Sequence, residues 1–473
     1  MLPCKPALLS GADSFGVLHT GSGRYLRGLS DAGAATYADL RTSGLLDSLE
    51  ARGLIPMTTL LTGSVPEELS HFACVLEHEP IDPVTYPREW TFGMLKAAAL
   101  AYLDLVQEAR RFGFICKDAH LFNFVFRGLR PVWVDIGSFQ RSDTMVADLP
   151  WLGEFRRGVL APLRMWAAGA PSLARGAIRH PAGLVPYEEF VAWRMPFLRG
   201  SSPFLARARR LMRLIGEANG VSGTSFAARS LRLLFARRPE RILRKLETSI
   251  GRLECGAASP WAAYHEEYLD RDGRIRLPER FVRILELLDR YKPQRILELA
   301  GNSGVLSQAI AGRYPQQPVI CTDYDPAAID GLFQRMRTTP TPNLSFAVLD
   351  FMVPEYARGE LPPEERFRSD CVLALAVTHH LLLSQGYSHD SVFSAIRDYT
   401  RDLVFVEFMP LGLHDGISAP ALPAWYSQAA FGEAFSHHFE TLHIEALEEN
   451  RVLFVGRVTH NRADAIAAPC PEK

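Results

Sequence analysis

Five apolar runs of strand length constrain this 473-residue chain more than any other feature: RILELA (295–300), PVICTD (318–323), LSFAVLD (344–350), DCVLALAV (370–377) and DLVFVEF (402–408). A strand that is apolar on both faces must be buried on both faces. The amphipathic or polar stretches between the first four are long enough for helices, and each crossover lays a helix on one face of the sheet. The pattern predicts a doubly wound α/β domain with a parallel sheet from about residue 275 to 460. HFETLHIEAL and RVLFVGRV add two late strands, expected to be antiparallel.

Residues 203–246 read differently. Leu, Ile and Phe recur every three or four positions with Arg between them, which predicts helices. This window carries eleven Lys+Arg against Glu217 and Glu240, a local net of +9 within a chain whose 52 Lys+Arg and 53 Asp+Glu nearly cancel. Two readings are open: a solvated helical face docking on acidic neighbours, or a docking surface for an anionic carrier, lipid or nucleic acid. The 47 % hydrophobic and 22 % charged fractions exclude a wholly disordered chain, and the length asks for two or three domains. Seven scattered cysteines without a C-x-x-C pair read as reduced thiols, neither a disulfide framework nor a zinc site. The opening MLPCKPALLSGADSFG lacks a basic region feeding a long apolar one, so a cytoplasmic protein with no membrane span is expected.

A nucleoside cofactor needs a tight turn after the first strand of such a sheet and a carboxylate after the second to accept ribose hydroxyls. Both are present. RILELA runs into Glu298-Leu-Ala300-Gly301-Asn302-Ser-Gly304 and then a helix, while PVICTD ends in Asp323-Tyr324-Asp325-Pro. After the fourth run stand His379 and His380, and the fifth contains Glu407. An imidazole with its pKa near 6.5 can take a proton from a hydroxyl or amine, or the pair can orient a cofactor. Glu407 is a candidate to position substrate or to partner a histidine. The spacing of His414 and Asp415 forms no recognisable metal set, and none is expected here.

With these residues the segment resembles the class I S-adenosylmethionine-dependent methyltransferases, a Rossmann-like fold. Their first strand ends in an acid followed by glycines at alternate positions. This chain has Glu298 and Gly304 but carries Ala300 and Asn302 where glycines are usual, and Gly301 is expected to supply the flexibility. The resemblance implies that Asp323 holds the ribose hydroxyls, that Tyr324 flanks the adenine, and that Asp350 and Phe351 meet the adenine amine and ring. A dehydrogenase is the competing reading; LALAVTHHLL looks like the methyltransferase fourth strand and not like a nicotinamide site. LALAVTHHLL and LVFVEFMP, with VLEHEPIDPVTYPREWTFGMLKAAAL, KDAHLFNFVFRGLRPVWVDIGSF and PWLGEF, are similar to a family of bacterial methyltransferase-like proteins that includes a nodulation host-specificity protein. The similarity spans most of residues 15–170 and 260–458; it departs at LLSQGYSHD, where an Asn-rich turn is expected.

The amino-terminal part carries a different constellation. In Cys116-Lys117-Asp118-Ala119-His120-Leu121-Phe122-Asn123 an Asp and an Asn stand five apart, and a strand PVWV delivers Asp135-Ile136-Gly137. Kinases use that spacing for a proton-accepting Asp and for an Asn and an Asp that hold Mg²⁺. The fragment thus resembles a kinase or small-molecule phosphotransferase, and the resemblance implies an ATP/Mg site at Asn123 and Asp135. HTGSGRYLRGLS is a degenerate glycine loop, and no Val-Ala-x-Lys strand supplies a lysine; Arg24 or Arg27 is the substitute cation.

The sequence therefore predicts three parts: an α+β kinase-like, non-phosphorylating (pseudokinase) module at 15–170, a basic helical connector at 171–260, and a methyltransferase domain at 261–460. The expected reaction is methyl transfer from S-adenosylmethionine to an O or N nucleophile of an unidentified acceptor. Two alternatives are open: a bifunctional kinase–methyltransferase acting on a glycan or lipid carrier, and a donor-binding scaffold without catalysis.

Overall fold

The computed structural model describes residues 5–6, 15–21, 23–142, 149–180, 183–194, 239–255, 259, 268, 275–357, 359–414 and 421–459. Most of the basic window, 203–238, lies outside the described residues, as does Asp415. The chain divides into two compact units, Met1–Ala258 with Ala357–Glu360, and Ser259–Tyr356 with Leu361–Lys473.

The first unit opens with a five-stranded antiparallel sheet of β1 (Lys5–Pro6), β2 (Gly16–Gly21), β3 (Arg24–Leu29), β4 (Thr58–Leu60) and β5 (Cys74–His78), in the order β1-β2-β3-β5-β4. Helices Asp31–Thr42 and Leu45–Ala51 lie between β3 and β4 in the chain. A long helix, Phe92–Arg111, follows. The Thr91 hydroxyl caps it by accepting from the Met94 amide at 3.2 Å, and the chain leaves it through Gly113 at φ 81°. Its inward stripe includes Leu95, Ala98, Ala99, Tyr102, Leu103 and Val106. Tyr102 sits among Trp133, Trp151 and Phe155, with ring centroids 5.3–5.5 Å away. Beyond the helix, β6 (Phe114–Cys116) pairs with β9 (Phe139–Arg141), and β7 (Phe124–Arg127) forms a hairpin with β8 (Arg130–Trp133).

The second unit holds one seven-stranded sheet: β10 (Ile296–Leu299), β11 (Val319–Asp323), β12 (Leu344–Val348), β13 (Ser369–Ala374), β14 (Thr400–Phe408), β15 (Phe439–Glu448) and β16 (Arg451–Val458). Their order is β12-β11-β10-β13-β14-β16-β15. The first five are parallel; β16 runs antiparallel to β14, and β15 antiparallel to β16. The five apolar runs are thus the parallel strands, and the late pair is antiparallel. β13 stops at Ala374, short of the apolar run's end, because the chain turns at Ala376 with φ 50°.

Helices Val305–Arg313, Pro326–Thr338 and His389–Tyr399 are the crossovers. Pro326–Thr338 begins where Asp325 accepts from the Ala327 amide at 2.9 Å and a proline occupies the first turn. It buries Ala328, Ile329, Leu332, Phe333 and Met336. Phe393, Phe431, Phe435 and Phe454 knit the far side of the sheet at centroid distances of 5.0–5.6 Å. Among the described residues, no helix is long and apolar enough to cross a membrane.

Candidate functional site

Parallel register brings the chemistry of the second unit to one edge. Glu298 of β10 lies opposite Cys321 of β11 and Leu373 of β13, so the turns after these strands emerge at the same end of the sheet. That end is where ligands of open α/β sheets bind. Glu298 is buried and accepts a hydrogen bond from the Ser307 hydroxyl. Burial pushes its carboxyl up to about 7, and neighbouring Asp323 and Glu407 push in the same direction.

The turn from 300 to 304 has left-handed backbone at Ala300 (φ 53°), Asn302 (φ 52°) and Gly304 (φ 65°). Two of these are the positions where the sequence departs from the alternate-glycine pattern, so the backbone keeps the bend without its usual residues. Asn tolerates this region; for Ala it is strained. Gly301 is not the flexible position expected of it. A Cβ there meets Cys321 Sγ at 2.8 Å and the Glu298 carboxyl carbon at 3.0 Å, so Gly301 serves close approach.

Asp323 closes the turn. Its carboxylate accepts from the Asn302 amide at 2.8 Å on one oxygen and from the Asp325 amide at 2.9 Å on the other. Burial pushes it up to about 6, while these backbone hydrogen bonds pull it back down. Tyr324 next to it is 56 % exposed, leaving an aromatic ring at the strand end. Asp350 is exposed and accepts from the Met352 and Val353 amides at 3.0 and 3.2 Å, whereas Phe351 is buried. A carboxylate with lone pairs left over, an exposed ring beside it and a tight left-handed turn of small residues are a set that fits an adenosine.

After β13, the rings of His379 and His380 lie 4.1 Å apart. Burial drives the His379 imidazole down to about 3, with His380 and Arg451 adding to the effect, and burial also lowers His380. Among the described residues, His379 Nδ1 has no hydrogen-bond partner. Glu407 is enclosed in β14, and Arg451 of β16 donates to its Oε2 at 2.9 Å. The Thr378 hydroxyl donates to the Glu407 backbone carbonyl at 2.7 Å, tying the histidine turn to β14. Arg451 was not evident from the sequence; the available signal was an arginine heading the apolar run RVLFVGRV.

In the first unit the turns around β7 and β8 bring Asp118, Asn123 and Asp135 together. Asn123 Nδ2 donates to Asp118 Oδ1 at 3.2 Å and to Asp135 Oδ2 at 3.3 Å, and the Gly137 amide donates to Asp135 Oδ1 at 3.1 Å. Burial, with Asp135 and Glu154 as negative neighbours, pushes Asp118 up to about 6. Glu154, which no sequence motif marks, accepts from the Ala119 amide at 2.6 Å. Phe15 packs so tightly on Gly137 that a Cβ there meets Phe15 Cβ at 2.8 Å. Of the two candidate cations, Arg24 is paired with Glu77 at 2.7 Å, while Arg27 is buried with its guanidinium 6.0 Å from the Phe15 ring. Of HTGSGRYLRGLS, residues 19–21 lie on β2 and 24–29 on its antiparallel partner β3. Among the described residues, no group of three or more His, Cys, Asp and Glu is placed to hold a metal ion.

No family model matches the chain. It is 27 % identical over 357 residues to nodulation protein NoeA of Rhizobium meliloti (strain 1021), covering 72 % of this chain and 71 % of that one. The solved structures it matches include the N-methyltransferase NodS from Bradyrhizobium japonicum WM9, 15 % identical over 38 % of this chain and 94 % of that one, with a TM-score of 0.28. Another is magnesium protoporphyrin IX methyltransferase (ChlM) from Synechocystis PCC 6803 with bound SAM, 10 % identical over 44 % and 100 %, with a TM-score of 0.29. The parallel core closed by an antiparallel terminal pair, the acid-headed turn at 298–304 and the carboxylate at 323 thus stand in a chain that is similar to nodulation protein NoeA over most of its length.

Proposed function

We propose that the second unit transfers a methyl group from S-adenosylmethionine to an oxygen or nitrogen of a small-molecule, glycan or carrier-bound acceptor. The observation that carries this reading is the Asp323 carboxylate, shared between the Asn302 and Asp325 amides beside the exposed Tyr324 ring. Bound S-adenosylmethionine supplies an electrophilic methyl group on a sulfonium. The chain supplies alignment. Asp323 would hold the ribose hydroxyls on its remaining lone pairs, Tyr324 and Phe351 would hold the adenine ring and Asp350 its amine, beside the small-residue turn at 300–304.

Proton transfer falls to the histidine pair. His379 stays neutral throughout the physiological range but is a weak base, since burial holds it near 3. His380 is less buried and is the better base for the acceptor's hydroxyl or amine, with His379 beside it as a positioning residue. Glu407 is held by Arg451 instead of by a histidine and acts by fixing the strand beneath them. The scattered thiols support a cytoplasmic setting.

Calorimetry with S-adenosylmethionine on the Asp323→Asn variant tests the donor site. Affinity should fall roughly tenfold or more, the worth of a charged hydrogen bond; unchanged affinity removes the ribose assignment. Labelled donor with fractionated cell extract then asks what becomes labelled, and no label with donor binding intact favours the scaffold reading.

The convergence of Asp118, Asn123 and Asp135 favours a second reading for the first unit, a kinase-like module that holds a nucleotide without turning it over. The order β1-β2-β3-β5-β4 with helices after β3 supports it. Mg²⁺-dependent ATP hydrolysis that vanishes in Asp135→Ala makes the protein bifunctional instead; neither binding nor turnover at saturating ATP excludes both.

A further inference from the structure

The first unit contains a pocket of about 370 Å³, within the range of small-molecule sites. It lies where a π-helical turn, Phe155–Leu160, meets helices Ala161–Ala167, Tyr187–Arg194 and Pro239–Gly251. A π turn widens a helix and is frequent at functional positions. Here it sets Arg156 and Arg157 at the pocket, and Arg157 is further placed by its Nε donating to the Gly153 carbonyl at 3.4 Å. The Val185 amide donates to the Arg157 carbonyl at 3.2 Å, pinning the incoming loop against the turn. Opposite stand Arg164, whose Nη2 donates to the Ser249 hydroxyl at 3.2 Å, and Lys245.

Arg156, Arg157, Arg164 and Lys245 line the pocket, and the two that carry the argument are Arg157 and Lys245. Neither Arg157 nor Lys245 has a carboxylate within 4 Å among the described residues. Between the cations the walls are apolar: Leu160 and Leu246 are buried, and Val185, Phe190 and Ile242 complete the surface. A free anion leaves these walls unused, and a nucleic acid needs an open basic face with room for a backbone. A molecule with both halves uses the whole site, its phosphate in the guanidinium forks and its chain along the apolar wall.

We infer that this pocket binds the phosphate-bearing end of a single-chain amphiphile, an alkyl or acyl phosphate. The site stands apart from the methyltransferase reading and survives its failure. It also gives the basic segment a concrete role at Lys245, which lines the pocket.

Octyl phosphate, titrated calorimetrically into the full chain beside octanol and inorganic phosphate, tests the inference. Octyl phosphate should bind roughly tenfold or more tighter than either control, since each control lacks one half of the interaction. The Arg157→Gln/Lys245→Gln variant should lose roughly tenfold or more of that affinity. Ile242→Ser should weaken octyl phosphate while leaving inorganic phosphate unchanged. Affinity of both variants for S-adenosylmethionine serves as the folding control. Absence of octyl phosphate binding at millimolar concentration, equal binding of inorganic phosphate, or wild-type affinity in the double variant overturns the proposal.

Discussion

Arg451→Met separates structure from chemistry at Glu407. The Glu407 side chain is 0 % exposed and the Arg451 side chain 9 %, and their 2.9 Å contact is the carboxylate's one hydrogen bond among the described residues, Oε1 having none. Methionine keeps the apolar stem and deletes the guanidinium, leaving a buried charge alone. That situation costs about 3–5 kcal/mol, far more than the pair itself contributes. Arg451 also touches Glu448 at 3.0 Å, but that carboxylate is 45 % exposed, so its share is at most about 1 kcal/mol. Replacing both partners, Arg451→Met with Glu407→Leu, removes the stranded charge and should return stability to within about 1 kcal/mol of the parent. Hydrogen exchange at the amides of β14 and β16 reads the opening free energy of this unit. A single variant within 1 kcal/mol of the parent, or a double variant as unstable as the single, refutes the reasoning. Methyl transfer retained by the double variant confines Glu407 to support; transfer lost with donor affinity intact gives it a direct role.

Two further outcomes are expected in the same unit. Ala300→Gly relieves left-handed strain of about 1–2 kcal/mol and adds about 0.4–1 kcal/mol of unfolded-chain freedom, so it should stabilise by roughly 0.5–1 kcal/mol; a loss of stability by the same exchange measurement locates the constraint elsewhere. The Glu298 carboxyl titrates near 7 in the folded chain against 4.5 unfolded. Its folded pKa is raised, so its contribution is fully present below pH 4.5 and is lost as pH rises through 7. Glu298→Gln should flatten that fall, and identical pH profiles for variant and parent across this window would discard the assignment.

The parallel strands were legible because burial on both faces leaves uninterrupted apolar letters, as in Val319–Asp323, whose residues are all buried. The candidate donor residues were legible for a related reason: strand ends in such a sheet share one edge, so Glu298, Asp323 and Asp350 converge without long-range information. The 300–304 turn was legible in place but not in manner, since alternation of left-handed residues is a property of φ and not of residue type. Arg451 was not legible as the partner of Glu407, because the pair forms across the sheet's antiparallel closure, 44 residues apart. Short elements of the first unit were equally opaque. β4 has three residues, too few to show a period, and Glu154 reaches the Asp118 turn from a helix 35 residues further on.

The double grip of Asp323 has a consequence for how any ligand of this site must be measured. One carboxylate latches the turn after β10 through Asn302 and the turn after β11 through Asp325, so the atoms proposed to take a ribose also hold the two turns in shape. Removing them deletes a contact and unlatches two turns at once. The affinity lost on truncating Asp323 is then the sum of recognition and preorganisation. Donor occupancy and order in the 300–304 turn become linked quantities: whatever stiffens the turn raises affinity with no new contact to the ligand, and bound donor protects the turn in return.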